Sequence, residues 1–241
     1  MGRSVAILDG DLGLANINVL LGLRPVYNIY DVLAGNKMLE ETVLDGPEGV
    51  VIIPAASGIR SACGLSTAER LTLMQAIEDF AYDFDYLLVD TPAGLGEDVM
   101  YFNSASAEVV CVINDEPTSL TDAYALIKVL SRDYGEKSIS ILVNNIADQK
   151  KAEAAYRRLS RAVERFLQVE LRYLGYVPCD SAVNAAVIEQ KALLEAHPSS
   201  VAAVALSALA RRLDSEFHDY RVKGGMQFFF RQLLDVSAYG Q

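Results

Sequence analysis

Two short loops rich in aspartate and glycine each follow an apolar stretch of the chain. Residues 4–8 lead into Asp9, Gly10 and Asp11, and a second apolar stretch ends at Asp90. Phosphoryl transfer uses acidic groups in such loops, because its transition state is stabilised mainly by positioning and by countering charge on phosphate oxygens. The alternative is that these aspartates only cap turns at the ends of strands.

The motif that normally binds the phosphates of a nucleotide is absent from the sequence. No G-x-x-x-x-G-K-[ST] occurs in the 241 residues. That motif supplies a concave array of backbone amides, a phosphate-binding lysine and a magnesium-binding hydroxyl. We therefore expect this polypeptide, as given, neither to hold nor to cleave ATP detectably.

The elements that would position these loops form an alternating pattern of strands and helices. Most of the predicted strands are apolar throughout, as in strands buried on both faces of a parallel sheet. Ser66-Thr-Ala-Glu69 is a capping-box signature that opens a helix running to Phe80, and Thr118 or Ser119 is expected to cap the next helix, which ends near Gly135. The predicted strands are 4–8, 49–54, 86–90, 109–114, 139–144 and 172–177, with two further helices at 152–169 and 198–217.

The alternation indicates an α/β fold, with a doubly wound, mainly parallel sheet and helices on both faces. The composition, 51% hydrophobic with no repeats, allows one large core. We predict one domain over residues 1–220 and a separate tail over residues 221–241. No apolar run approaches the length needed to span a bilayer.

The net charge and the spacing of the cysteines indicate which partners and which cellular compartment to expect. The net charge of −11 opposes direct binding to nucleic acid and favours protein partners, because nucleic-acid surfaces are bound by Lys and Arg. Cys63, Cys111 and Cys179 show no metal-binding or redox spacing, so we expect buried free thiols in a reducing cytoplasm. The charged run 150–165 is expected to be a solvated helix face, with a partner surface as the alternative.

The two acidic loops belong to stretches that resemble a known family. Asp9-Gly-Asp-Leu-Gly-Leu-Ala-Asn16 resembles the first switch of the MinD/ParA branch of P-loop ATPases, and Leu87-Leu-Val-Asp-Thr-Pro-Ala-Gly94 resembles the second. Within that branch, Pro54-Ala-Ala-Ser-Gly58 and the stretch 114–128 resemble the flagellar-number regulators called FlhG or FleN. The similarity continues through Gly225-Met-Gln-Phe-Phe-Phe-Arg231 and so covers nearly the whole chain.

The resemblance implies roles for three residues in these loops. Asp11 matches the residue that orients and polarises the attacking water, and Asp90 matches the aspartate that holds Mg²⁺ through water. Gly94 matches the glycine whose amide approaches the γ-phosphate, so that loss of the phosphate releases the loop. ATP and Mg²⁺ are the cofactors that the resemblance implies.

Four further residues are assigned by the same resemblance. Asn144 matches the residue on the adenine edge, and an amide suits that role because it offers a donor and an acceptor together. Pro178 and Asp180 fall in the loop that lines the base, and Glu116 matches a residue that reaches the nucleotide of the opposite subunit in a sandwich dimer. Asn145 leaves the register at Asn144 open by one residue, and each of these groups could instead be a loop residue satisfied locally.

In the resembling family, a first strand, the P-loop and a first helix precede the position of Gly2-Arg3. Three explanations stay open: a start codon assigned too late, a deliberate fragment, or a natural member that has lost ATP binding. The first strand lies beside the strand that ends at Asp90. We therefore expect the chain alone to fold poorly, unless another segment fills the gap.

The last 21 residues carry an amphipathic pattern at helical spacing. This pattern favours either a reversible, dimer-assisted membrane contact or docking on the protein's own groove, with disorder as the third alternative. The net positive charge of the tail is small for anchoring to anionic lipid. The apolar positions are Met226, Phe229, Phe230, Leu233 and Leu234.

The leading hypothesis is a FlhG/FleN-like ATPase that regulates flagellar number and placement. The resemblance implies an ATP-bound homodimer and partners such as the flagellar SRP-like GTPase FlhF, a FleQ-type transcription activator or C-ring components. It also implies a cytoplasmic protein that associates reversibly with the membrane. The alternatives are an ATP-independent partner-binding module of the same fold and a MinD- or ParA-type ATPase that positions division or chromosomal cargo.

Overall fold

A computed structural model of the chain describes residues 1–55, 65–80 and 84–217. It divides into two compact units: Met1–Phe102 with Ala186–Ala196, and Asn103–Ala185 with the residues from His197 onward. We call them the first and the second unit. The predicted boundary between a domain at 1–220 and a tail at 221–241 lies outside the described residues and stays a prediction.

The first unit is built on a four-stranded sheet in the order β2-β3-β1-β4. Three of its strands are parallel, and β2 is antiparallel to β3. Central strand β1 is buried at Ala6 and Leu8, as its apolar composition predicts. The strands are β1 Val5–Asp9, β2 Leu44–Asp45, β3 Val51–Ile53 and β4 Tyr86–Asp90, and the helices that begin in this unit are α1 Ile17–Leu20, α2 Ile29–Leu33, α3 Thr67–Asp79, α4 Glu97–Ala105 and α8 Leu193–Ala196.

The second unit contains a three-stranded parallel sheet in the order β5-β6-β7. Its core is formed by fully buried residues of β6, notably Ile139 and Ile141, and by buried residues of the helices. Leu130 and Val163 contribute from two of those helices. The strands are β5 Val110–Ile113, β6 Ser138–Ile146 and β7 Glu170–Pro178, and the helices are α5 Pro117–Asp133, α6 Gln149–Phe166, α7 Ser181–Glu189 and α9 Val201–Phe217.

The structure confirms the α/β class and all six predicted strands, with small changes of bounds. The capping box of α3 is also confirmed, because Ser66 Oγ accepts from the Glu69 amide at 3.3 Å and Glu69 Oε2 accepts from the Ser66 amide at 2.8 Å. Within α3, Leu73 and Ile77 are buried, whereas Leu71 is 43% exposed. None of the helices in the described residues is long and apolar enough to cross a membrane.

Two sequence-based expectations were wrong. Helix α5 begins at Pro117 and its N-cap is Glu116, not Thr118 or Ser119. Proline suits the first helical position because the missing N–H has no intrahelical partner there. The cysteine expectation fails at Cys179, which is exposed, whereas Cys111 is buried and its burial raises the pKa of the thiol to about 11.

Four strands, β2, β4, β5 and β7, lie at the edges of the two sheets and have one side with no strand partner among the residues that the structure describes. The two of interest here are β4 and β5. Strand β4 pairs only with β1, and β5 pairs only with β6. Both expose apolar side chains: Leu88 of β4 is 52% exposed and Val112 of β5 is 55% exposed. Unpaired edges with exposed apolar residues favour association with a further strand.

The open edges predict that the isolated chain self-associates. Leu88→Lys and Val112→Lys place a charge on each edge strand, and lysine there opposes edge-to-edge pairing. We expect static light scattering during slow warming to fall roughly twofold or more for either variant. Leu71→Lys, at an exposed position on helix α3, is the matched control, and an equal fall with this control would show that added charge alone is responsible.

Candidate functional site

Asp9 is the buried anchor of the first acidic loop. Its side chain is only 2% exposed and accepts three backbone N–H groups, from Asp11 at 3.2 Å, Asn16 at 3.0 Å and Ile17 at 3.3 Å. Burial raises the pKa of Asp9, while these three hydrogen bonds act to lower it. A carboxylate that accepts several amides fixes the path of the loop between them. Asp9 therefore holds residues 11–17 against the end of β1.

The two acidic loops meet at one edge of the first unit's sheet. Asp9 is the register partner of Asp90 in the parallel β1–β4 pair, and the Gly10 amide donates to the Asp90 carbonyl at 2.7 Å. A Cβ at Gly10 would lie 2.8 Å from that carbonyl oxygen, so only glycine allows this close approach. Asp9 and Asp11 thus lie close enough to Asp90 for their negative charges to act on it.

The cluster of aspartates carries unfavourable electrostatics. Burial is the largest cause of the raised pKa of Asp90, followed by the negative charges of Asp9 and Asp11. Carboxylates that repel one another in this way suit a hydrated divalent cation, which favours oxygen ligands. The residues present therefore fit Mg²⁺ held through water. Among the described residues, no group of three or more His, Cys, Asp or Glu side chains has the geometry for direct metal binding.

The loop that follows β4 leads into helix α4. Gly94 in this loop has φ +112°, a conformation that side-chain-bearing residues rarely adopt, and it is exposed. Behind the loop, Asp98 of α4 pairs with Arg70 of α3 at 3.2 Å and accepts the Leu65 amide at 3.2 Å. The guanidinium of Arg70 also lies 4.6 Å from the centroid of the Tyr101 ring. These contacts fix the start of α4 against α3.

The sequence interpretation assigned no role to Arg70 or Asp98. The signal that was available is the acidic pair Glu97-Asp98, which follows Gly96 and falls in the first turn of a helix. Its partner on α3 could not be read from the sequence. The ion pair joins residues 28 positions apart, and only the packing of the two helices brings them together.

The four residues assigned to the base and to the opposite subunit lie in the second unit. Asn144 is exposed, and its Oδ1 accepts the Asn145 amide at 2.9 Å. Asn145 has φ +54° and lies where the β6–β7 register is irregular. Glu116 is exposed at the N-cap of α5 and makes no side-chain capping bond. These side chains therefore stand at the carboxyl ends of β5 and β6, where α/β proteins bind ligands.

Asp180 has a structural partner set that the sequence did not reveal. Its carboxylate accepts the Ala182 amide at 2.9 Å and the Ala202 amide at 3.0 Å. The hydrogen bond from Ala202 is the main cause of the lowered pKa of Asp180, and the bond from Ala182 is the next. The carboxylate thereby ties the loop after Pro178, the last residue of β7, to the first turns of α7 and α9. Asp180 positions this loop.

The fold and the paired acidic loops define a class: the MinD/ParA-type α/β proteins. Two solved MinD structures share this fold. MinD of Pyrococcus furiosus, a cell-division ATPase, is 26% identical with a TM-score of 0.67 over 89% of this chain and 86% of that chain. MinD of Pyrococcus horikoshii, solved with Mg-ADP, is 26% identical with a TM-score of 0.66 over 88% of this chain and 84% of that chain.

Two relatives of known name indicate the branch within this class to which the chain belongs. The antiactivator FleN of Pseudomonas aeruginosa is 43% identical over 100% of this chain and 86% of its own length. The flagellum site-determining protein YlxH of Helicobacter pylori is 33% identical over 97% of this chain and 80% of its own length. The chain belongs to the MinD/ParA family, in the branch of FleN and YlxH that is also called FlhG. No protein-family model matches the chain.

Replacing Asp9 tests its role as the anchor of the first loop. Asp9→Ala leaves three backbone donors without their acceptor, and a buried donor without a partner costs about 1 to 3 kcal/mol. We expect hydrogen exchange of the Asp11, Asn16 and Ile17 amides to accelerate at least tenfold, with smaller changes in the second unit. Asp9→Asn keeps one acceptor oxygen and should give an intermediate effect. Unchanged exchange in Asp9→Ala would contradict the assignment.

The repulsion within the acidic cluster predicts that neutralising Asp90 stabilises the folded protein, and that the size of this effect depends on pH. A carboxyl pKa raised on folding favours the folded state most below the unfolded value near 3.8, and this contribution is lost as the pH rises through the folded value. Asp90→Asn should therefore unfold at higher urea than the parent at pH 7, and the difference should vanish as the pH falls below 3.8. Asp122→Asn, at an exposed position on α5, is the control and should not reproduce this pH dependence.

Proposed function

We propose that the chain is the switch domain of a FlhG/FleN-like ATPase that regulates flagellar number and placement. The observation that carries the proposal is the meeting of Asp11 and Asp90 at the end of the β1–β4 pair, with Gly94 in the loop that follows. Membership in the FleN and YlxH branch supports the flagellar part of the proposal.

In this proposal, three residues of the first unit act on the nucleotide: Asp11, Asp90 and Gly94. Asp11 orients the attacking water, and its position is fixed by the hydrogen bond from its own amide to Asp9. Asp90 would hold Mg²⁺ through water, and the ion, when bound, would neutralise charge that develops on the phosphate oxygens. The Gly94 amide approaches the γ-phosphate, so that its contact transmits the state of the nucleotide to α4.

The second unit supplies the remaining assignments of the proposal. Asn144, or Asn145 if the register shifts by one residue, binds the adenine edge, and Pro178 with Asp180 forms the loop beside the base. Because Asp180 already accepts two backbone amides, its contribution is to hold that loop in place. Glu116, exposed at the start of α5, reaches the nucleotide of a second copy in an ATP-dependent homodimer.

The proposal extends to partners and location. ATP-dependent dimerisation would control binding to FlhF, a FleQ-type activator or C-ring components. The protein would work in the cytoplasm, with Met226, Phe229, Phe230, Leu233 and Leu234 of the tail forming a reversible membrane contact or an intramolecular one. The tail lies outside the described residues, so its role rests on the sequence alone.

The alternative function is that of an ATP-independent partner-binding module. The given sequence contains no phosphate-binding lysine with its amide cradle, and β4 has an open edge in the pairing pattern of the first unit. A chain that lacks these groups permanently would act as an ATP-independent partner-binding module of the same fold. A segment that pairs with β4 and carries the motif would complete the ATPase.

A fusion protein separates these two functions. A first strand, the family's K-G-G-V-G-K-T loop and a first helix are joined ahead of Gly2. Binding of a fluorescent ATP analogue and phosphate release are then measured with and without Mg²⁺. We expect the fusion to bind and hydrolyse ATP and the parent chain to do neither. Asp11→Ala in the fusion should retain binding but lower kcat by about 10² to 10⁴, as for loss of a residue that handles the attacking water.

Two outcomes would count against the ATPase proposal. A fusion that folds by circular dichroism but does not bind the analogue would favour the binding module. Hydrolysis unaffected by Asp11→Ala would remove the assigned role of that residue. Micromolar binding of the analogue by the parent chain would contradict the expectation that the missing motif is required.

A further inference from the structure

Helix α6 carries a concentration of positive charge that the nucleotide site does not use. Its 18 residues contain six cations and two carboxylates, a net charge of +4. Since the whole chain carries −11, the remaining residues sum to −15. A locally basic surface on a strongly acidic protein therefore coincides with this one helix.

The cations lie on the face of α6 that points away from the core. The buried face is formed by Ala152, Ala155, Leu159 and Val163. At 100° per residue, the six cations fall within roughly a third of the helix circumference opposite that face, and the first and last are about 22 Å apart along the axis. We call this surface the basic face; it comprises Lys150, Lys151, Arg157, Arg158, Arg161 and Arg165.

Most of these cations have no partner among the described residues, whereas both carboxylates of the helix do. Glu153 accepts from Gln149 Nε2 at 2.9 Å and from Arg157 at 3.2 Å, and Glu164 accepts from Ser160 Oγ at 2.7 Å. Lys150, Lys151, Arg158 and Arg161 are exposed and make no ion pair within the part of the chain that the structure describes. Their positive charge is thus available to a binding partner.

An exposed aromatic side chain stands beside the basic face, at the last residue of α6. Phe166 is 58% exposed, and the guanidinium of Arg165 lies 5.1 Å from its ring centroid. Aromatic and arginine side chains together are the residues that most often dominate the energetics of protein interfaces.

We propose that the basic face and Phe166 form a docking surface for an acidic segment of a partner protein that also carries an apolar residue. The net charge of −15 on the rest of the chain opposes binding of an extended polyanion such as duplex DNA or an anionic membrane. A segment of about 15 residues in a helix covers the ~22 Å length of the face alone. Phe166 adds an apolar contact that phosphate groups do not provide.

The test uses a defined probe because the partner protein is not identified. A fluorescein-labelled helical peptide of about 15 residues carries glutamates at i, i+3 and i+4 spacing and one leucine near the end that would face Phe166. Fluorescence anisotropy measures its affinity for the full chain at low and at physiological salt. A peptide with the same charge and alanine in place of leucine, a short DNA duplex and phosphatidylglycerol vesicles are tested in parallel.

Two double variants distinguish binding at the basic face from a general effect of the protein's net charge. Arg158→Glu with Arg161→Glu reverses two unpaired cations of the basic face, and Arg132→Glu with Arg211→Glu makes the same charge change at exposed positions on α5 and α9. We expect the double variant on α6 to lower the affinity for the glutamate-leucine peptide by about tenfold, and the control double variant to lower it by less than twofold. Phe166→Ala should lower the affinity for this peptide severalfold and leave the affinity for the alanine peptide unchanged.

Three results would overturn the proposal. These are equal weakening by the two double variants, stronger binding of the duplex or the vesicles than of the peptide, and absence of measurable peptide binding at low salt. Circular dichroism of each variant controls for loss of fold. The nucleotide site lies outside this test, so the proposal stands or falls independently of the proposed ATPase function.

Discussion

The candidate site depends on one buried carboxylate. Asp9 ends the central strand of the first unit and accepts three amides from the loop that follows. Its burial opposes ionisation, and the hydrogen bonds offset part of that cost. These bonds fix the loop near both of its ends, and the charge of Asp11 within it acts on Asp90. Without Asp9, the loop that carries Asp11 would lose three hydrogen bonds to the end of β1.

The same arrangement brings three negatively charged side chains together at one end of the first unit's sheet. The charges of Asp9 and Asp11 raise the pKa of Asp90, and Gly10 packs closely against the Asp90 carbonyl. This repulsion destabilises the folded state, and a hydrated cation would reduce it. Function and stability thus oppose each other at these carboxylates, as they commonly do where charged groups converge on a ligand.

Much of the fold could be predicted from the sequence because its signals are local. Apolar runs marked all six predicted strands, and the Ser66–Glu69 capping box marked the start of α3. Where a local signal was ambiguous, prediction was wrong: Pro117 began α5 although Thr118 and Ser119 offered side-chain oxygens, and Cys179 proved exposed. The two-residue strand β2 was not predicted, since a strand this short has no pattern of its own.

The sequence by itself identified the family, because the motifs around Asp11, Asp90 and Gly94 resemble its switch segments and relatives at 43% and 33% identity confirm the membership. It also determined the charge of α6, which is a property of composition. Only the tertiary structure decided that Asp9 anchors a loop, that Arg70 meets Asp98 and that Asp180 is engaged by two helix starts. These contacts join residues distant in the chain, or place a carboxylate where burial and amide donors change its behaviour. Such effects depend on packing in three dimensions, which no short stretch of sequence encodes.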